Sequence, residues 1–327
     1  MILILILDDD IDDNEQPIGL VEESEIQKLV ERYIDSVSWR VVGQVNALSK
    51  GFLQTATQRH PFDLPYFVQF AEDISSRPAV HNRWIAHLYA NELMGLGVNP
   101  NISLLGIYSG FGGSQAADYV SRHLHVNLMR NEHFKQNPYN AFVEAFLQTD
   151  EGYSQVVKRS RIPDIVGCTA TVCMVRGYEL WLSWVGDCRA VLFKSTGDVI
   201  DFCEPQTPDR DSERERLEGR GGVVTRVNGR DRLSGVYPIS RALGCPRMKT
   251  LLIGEPEIVT YDLQGDEDYL VIANPAFWDV VKDDDLAEIL AEYEGAHLAG
   301  IADSLVDYAR RLGVTESLTV SVMGFEE

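Results

Sequence analysis

Tyr108-Ser109-Gly110-Phe111-Gly112-Gly113 decides the reading of this chain. It closes an apolar, β-like run beginning at Leu104 and opens an amphipathic stretch from about residue 114. Gly-rich turns of this kind let the backbone approach an ion or a phosphate closely. Holding a hard divalent cation also needs oxygen ligands, usually carboxylates, and this turn has none. Ser109 is no hydrolase nucleophile on sequence grounds either, because Ser-Gly-Phe-Gly lacks the G-x-S-x-G elbow.

Outward from this turn the chain alternates two periods. Leu104 to Tyr108, Ala170 to Val175, Leu180 to Val185, Ala190 to Phe193, Tyr269 to Ala273 and Leu318 to Met323 are short β-branched or aromatic runs bounded by turn residues, the pattern of strands. Arg176-Gly177-Tyr178-Glu179 reads as a hairpin turn between two of them. Stretches at about 114–130, 138–150, 209–220, 284–294 and 298–312 carry helical periodicity. Hairpin-joined strands with helices grouped between them predict an α+β layered domain. N-terminal to it, residues 1–18 hold an acidic run (Asp8, Asp9, Asp10, Asp12, Asp13, Glu15) expected to be a mobile terminus. Residues 19–72 follow a helical rhythm through Ile26, Leu29, Val30, Tyr33, Val45, Leu48, Phe52 and Leu53, which predicts two or three helices ended by Pro61 and Pro65.

Composition narrows the function classes. The 327 residues, 45% of them apolar, suffice for one large domain and an appendage. Fifty acidic against 29 basic residues give a net charge of −21. That excess argues against a phosphate-backbone or anionic-membrane footprint, so neither nucleic acid nor membrane is expected as a partner. Cys168, Cys173, Cys188, Cys203 and Cys245 are an odd number without C-x-x-C spacing and lie in mostly apolar runs. They read as reduced core thiols of an intracellular protein, cytoplasmic or nuclear. Met1 to Leu7 is apolar but lacks a basic flank and is too short for a signal peptide or a membrane span.

A series of motifs then falls in order. The glycine-rich turn resembles the Asp-Gly-His-Gly-Gly signature of the metal-dependent Ser/Thr protein phosphatase 2C (PP2C, PPM) family, with Ser109 at the bridging Asp and Phe111 at the His. Gly167-Cys168-Thr169-Ala170 resembles the family's Gly-Ser/Thr-Thr-Ala, and Trp184-Val185-Gly186-Asp187-Cys188-Arg189 its Gly-Asp-Ser-Arg. Glu215-Arg216-Leu217 with Gly221-Gly222-Val223, Ile239 to Gly244, Glu255-Pro256-Glu257, Tyr269 to Asp279 and Glu316-Ser317-Leu318-Thr319-Val320 continue the series. The resemblance covers roughly residues 73 to 325, and 73–327 is taken as the phosphatase-like domain. Glu204 to Arg210 and Ala116-Ala117-Asp118-Tyr119, followed by His123 and His125, resemble most the calmodulin-kinase/partner-of-PIX subgroup. The resemblance implies two antiparallel sheets packed face to face with helices outside and a metal site at one end of the sandwich.

Chemistry of that family needs two divalent ions roughly 3.5–4 Å apart to activate a bridging water. By resemblance, Arg77 matches the Arg that binds substrate phosphate, and His81-Asn82 stands where the family has Glu-Asp. Ser109 is neutral at the bridging position, and Gly110 keeps only its carbonyl for a metal. Phe111 can carry no proton as the general acid would. Pro275 replaces a further ligand, and Glu316 retains a carboxylate one methylene longer than the family's Asp. Asp187, Asp279 and Glu316 are the residual acidic candidates, with the first two implied at a weaker, third metal position; His81 could still bind a transition metal.

Other roles stay open for these residues. Asp187 in its turn could cap backbone amides, Arg77 could pair with an acid, and Phe111 and Pro275 could fill the hollow that ions would occupy. The expectation is a catalytically impaired pseudophosphatase, without a resident cofactor beyond weak Mg2+ or Mn2+, that binds kinases, phosphatases or phosphoproteins. The alternatives are a divergent phosphatase with an altered metal set and a phosphopeptide reader acting through Arg77.

Overall fold

Strands with continuous apolar runs need cover on both faces, and the fold supplies it. A computed structural model of the protein describes residues 52–54, 66–73, 82–87, 102–293 and 300–325. In chain order the strands are β1 (Phe52–Gln54), β2 (Tyr66–Asp73), β3 (Asn82–His87), β4 (Ile102–Phe111), β5 (Gly167–Arg176), β6 (Glu179–Val185), β7 (Arg189–Lys194), β8 (Val199–Asp201), β9 (Val224–Val227), β10 (Arg230–Leu233), β11 (Leu243–Gly244), β12 (Glu257–Asp262), β13 (Glu267–Ala273) and β14 (Leu318–Phe325). The helices are α1 (Gln115–Arg130), α2 (Pro138–Arg159), α3 (Asp211–Gly219), α4 (Pro275–Trp278), α5 (Asp283–Ala291) and α6 (Ile301–Arg311).

The strands form two six-stranded sheets and a separate hairpin. The first sheet runs β1-β2-β14-β13-β7-β8. The second runs β12-β6-β5-β4-β3 with β11 paired to β5, and β9-β10 stands apart. Every pairing between these strands is antiparallel.

Alternation sorts each strand's apolar residues between two layers. Leu270 and Ile272 of β13 meet Cys173 and Val175 of β5, Leu105 and Ile107 of β4 and Val68 of β2 in the core between the sheets. Val271 and Ala273 of β13 point the other way, onto Leu286, Leu290 and Leu305 of α5 and α6. On the far side, Ala170, Val172 and Met174 of β5 pack under Val120, Leu124, Phe142 and Phe146 of α1 and α2. The result is a four-layer α/β/β/α sandwich, the α+β architecture expected from the motif series. All five cysteines are buried and free.

Two expectations need correcting. Within the stretch 19–72 read as a helical region, Phe52–Gln54 is a strand and so is the part from Tyr66 on, which continues to Asp73; β2 pairs with β14 from Leu318↔Asp73 to Phe325↔Tyr66. The sandwich therefore begins N-terminal to residue 73, because β14 supplies a ladder that overrides local rhythm. The helix expected at 138–150 runs on to Arg159. Gly152 sits within it where a Cβ would collide with the Tyr119 hydroxyl, so the glycine admits a close aromatic approach rather than ending the helix. The remaining helices proposed for 19–72, apart from the residues just named, and the acidic run of 1–18 lie outside the described residues.

Candidate functional site

β3, β4, β14 and the β13–α4 junction converge at one end of the sandwich. Asn82 and Ser109 are register partners on neighbouring strands, so their side chains stand side by side. The Ser109 hydroxyl donates to Asn82 Oδ1 at 2.8 Å. Asn82 Nδ2 in turn donates to Thr319 Oγ1 at 3.1 Å, crossing from the second sheet to the first. Thr319 N donates to Asn274 Oδ1 at 3.0 Å, and Asn274 Nδ2 donates to the Ser317 carbonyl at 2.9 Å. Asn82, Asn274 and Thr319 are buried, so each of these bonds answers a polar group that would otherwise go unsatisfied. The chain of contacts is neutral throughout.

Arg83 braces this end from outside. Its Nη1 donates to the Asn82 carbonyl and its Nε to Asp118 Oδ1, both at 2.6 Å. Asp118 lies in the first turn of α1, where its carboxylate also accepts from Ser114 Oγ at 2.9 Å. Gly112 at φ 72° begins the turn into that helix, and a Cβ there would lie 3.0 Å from the Ile165 carbonyl.

Gly110 is paired opposite Cys168 in the β4–β5 ladder. Phe111 packs edge-on against Tyr237, ring centroids 5.9 Å apart, and against Leu217, Leu233, Ile239 and Leu252. Pro275 is half-buried as the first residue of α4 behind the cap residue Asn274. Asn82 and Thr319 are thus joined by polar groups, while Phe111 packs against an apolar cluster.

The residual acids lie together at the same end. The β6–β7 turn is tight at Gly186 (φ 108°), where a Cβ would strike Thr169. Gly186 N donates to the buried Gln206 Oε1 at 2.8 Å, and Gln206 N donates back to the Gly186 carbonyl at 2.9 Å. Asp187 follows, half-buried. Burial pushes its carboxyl up and the Asp279 charge adds to that, while a backbone hydrogen bond and, less strongly, Arg230 only partly offset them, leaving it at about 7. Asp279 is exposed and accepts from Arg230 Nη2 at 2.9 Å. Glu316 is exposed, and its carbonyl accepts from Arg310 Nη1 at 2.8 Å. Arg77 and His81 lie outside the described residues.

A pair of divalent ions does not fit this donor set. Ser109 and Asn82 are neutral: the Ser109 hydroxyl donates to Asn82 Oδ1, and Asn82 Nδ2 donates to Thr319. Among the described residues, no three His, Cys, Asp or Glu side chains come together so as to hold a metal ion. Asp279 already has a cation in Arg230.

Sequence reading missed two of the groups that matter here. Arg230 follows Asn228-Gly229, whose positive φ values of 52° and 82° make the β9–β10 turn; Asn-Gly between short strands is itself a hairpin signal. Glu213 was passed over for its neighbour Glu215. It is buried, and its carboxylate accepts from Arg241 Nη2 at 2.6 Å and Arg216 Nη2 at 2.7 Å. Those arginines belong to the Ser-Arg-Ala-Leu-Gly and Glu-Arg-Leu motifs, which Glu213 joins.

The family description "Protein phosphatase 2C" matches residues 74–318. The chain belongs to the protein phosphatase 2C family. Protein phosphatase 1E of mouse is 34% identical over 236 residues, 71% of this chain and 31% of that protein. Mouse protein phosphatase 1F is 32% identical over 256 residues, 77% of this chain and 56% of its own length. The chain therefore spans under a third of one of these relatives and somewhat over half of the other. Among solved structures, a C. elegans sex determining protein superposes with a TM-score of 0.71 at 19% identity, over 96% of this chain and 76% of that one. A Toxoplasma gondii serine-threonine phosphatase 2C gives 0.70 at 16% identity, over 85% and 99%. At such identities these two speak for the fold.

Proposed function

We propose that this member of the phosphatase 2C family is a pseudophosphatase, a binding or regulatory module of protein-phosphorylation signalling without turnover of its own. One observation carries the reading: Asn82 and Ser109, at two positions where the family resemblance implies metal-binding carboxylates, are joined in a neutral bridge that runs on to Thr319. A hydroxyl and a carboxamide tied to each other lack the negative charge that carboxylates bring to a dication. The partner class is protein, namely kinases, phosphatases or phosphoproteins inside the cell. The net charge of −21 favours basic partner surfaces.

Two other readings are weighed against it. A divergent phosphatase would have to assemble an altered metal set from Asp187, Asp279 and Glu316, with Asp279 first surrendering Arg230. A phosphopeptide reader would depend on Arg77. Aryl-phosphate hydrolysis in millimolar manganese or magnesium, beside an active family member, separates the divergent phosphatase from the first reading. No turnover above the blank is expected, and measurable turnover would overturn the pseudophosphatase. Phosphopeptide binding without hydrolysis would favour the reader.

A further inference from the structure

We propose that Arg230 is a tethered cation that neutralises the acidic end of the sandwich and latches the β9–β10 hairpin to the β13–α4 corner through Asp279. The inference deepens the silent-site reading and rests on it for the absence of a competing ion.

The hairpin needs a latch because it belongs to neither large sheet. Its register, Val224↔Leu233 through Val227↔Arg230, puts Val224, Arg226, Asp231 and Leu233 on one face and Thr225, Val227, Arg230 and Arg232 on the other. The first face is anchored locally. Leu233 is buried with Leu217 of α3, Asp231 pairs with Arg214 of α3, and Asp231 N donates to Asp209 Oδ1 at 3.3 Å. On the second face Arg232 reaches only the Val236 carbonyl at 2.9 Å, at the hairpin's own base. Among the hydrogen bonds and ion pairs of the described hairpin residues, Arg230–Asp279 is the one that reaches the β13–α4 corner, bridging 49 residues of sequence.

Charge at that corner calls for a cation. Besides Asp279, the guanidinium of Arg230 lies in the fields of Glu316 and Asp187, and Asp279 holds it above its ordinary range, first by hydrogen bond and then by charge. Arg189, a second cation near this corner, is engaged elsewhere: it stacks over Trp278 at 4.8 Å and binds Asp201 through Nε at 2.9 Å and Asp283 through Nη2 at 3.3 Å. Asp279 is itself well placed as a fixed post. It ends α4, whose Trp278 indole donates to the Ala273 carbonyl at 3.0 Å, and Asp279 N donates to the Pro275 carbonyl at 2.9 Å.

Amide hydrogen exchange over residues 224–233 tests the latch in the full chain, comparing wild type, Arg230→Gln, Arg230→Lys, Asp279→Asn and the double variant Arg230→Gln/Asp279→Asn. Each neutralising change is expected to speed hairpin exchange about two- to fivefold, the scale of a partly exposed ion pair. The double variant should go no further than the faster single, Arg230→Lys should stay nearer wild type, and β5 should not change. Added manganese up to millimolar should leave the wild-type hairpin unaltered. Unchanged exchange in Arg230→Gln, additive effects in the double variant, or a manganese-dependent rise in wild type would overturn the latch. Phosphatase turnover by wild type would remove the silent-site reading while leaving the exchange result standing, so the two failures are distinguishable.

Discussion

Asn82 Oδ1 accepts the Ser109 hydroxyl at 2.8 Å, on paired strands of one sheet, while the same carboxamide donates to Thr319 of the other. Two positions at which the family resemblance implies carboxylates form a neutral cross-sheet tie. Ser109 and Asn82 are thus matched to each other, and changing one strands its partner.

Asn82→Ala should therefore destabilise the fold. It leaves the Ser109 and Thr319 hydroxyls without the partner each has now, at a cost of about 1–3 kcal/mol. Asn82→Asp should cost a similar amount at neutral pH, since a carboxylate accepts from Ser109 but cannot donate to Thr319. Urea unfolding midpoints check both, and an Asn82→Ala midpoint equal to wild type would show that the tie contributes nothing.

Metal ions should matter little to the folded state. Only ligands that bind the native form raise its melting temperature, and the neutral donors between the sheets offer magnesium or manganese no strong site. The melting temperature should be the same in EDTA and in millimolar manganese, and calorimetry should give no micromolar two-site isotherm. A rise of several degrees with manganese would contradict the neutral-tie account.

Restoring chemistry should take several changes at once. Ser109→Asp alone is expected to remain inactive, because residues that act as a unit are not additive. Ser109→Asp, Phe111→His, Asn82→Asp and Pro275→Asp together supply ligands and a general acid, and weak aryl-phosphate hydrolysis with manganese is the expected result. Pro275 is the demanding position, since it starts α4 and its ring presets the first helical turn. Turnover from Ser109→Asp alone would show that the missing groups do not act together.

Phe111 and Gly167 should be coupled. A Cβ on Gly167 would lie 2.5 Å from Phe111 Cζ, 3.0 Å from the Leu243 carbonyl and 3.1 Å from Cys245 Cβ. Gly167→Ala is expected to cost about 1–3 kcal/mol as an overpacked contact. In a Phe111→Leu background the penalty should shrink while the Leu243 clash persists. Thermal or urea unfolding of the four-member cycle measures the coupling, and strict additivity would rule out the contact.

Stability should fall in acid through Glu213. Burial alone would raise its pKa, but hydrogen bonds from Arg241 and Arg216 more than offset it and hold it at about 2 against an ordinary 4.5. A depressed carboxylate contributes stability that is fully present above the unfolded value and is lost as pH falls towards the folded one. The window here is from about 4.5 down to about 2. Glu213→Gln should cost about 3 kcal/mol at pH 7, and its gap to wild type should narrow across that window in urea midpoints. A gap independent of pH would mean that the arginines hold Glu213 by shape rather than by charge.

Much was written in the sequence locally. The strand runs at Leu104–Tyr108, Ala170–Val175 and Tyr269–Ala273 all fall within observed strands, because β-branched and aromatic runs between turn residues carry their own signal. The ordered motifs carried the family, and Ser109, Phe111 and Pro275 are non-acidic by residue type alone. Tertiary structure decided what distant partners decide. β2 is a strand because β14, some 250 residues later, offers it a full ladder, and no local period contains that information. Asn82 binds Thr319 across 237 residues and Arg230 binds Asp279 across 49. Residue type says which positions are neutral, whereas only packing of the two sheets brings their partners together.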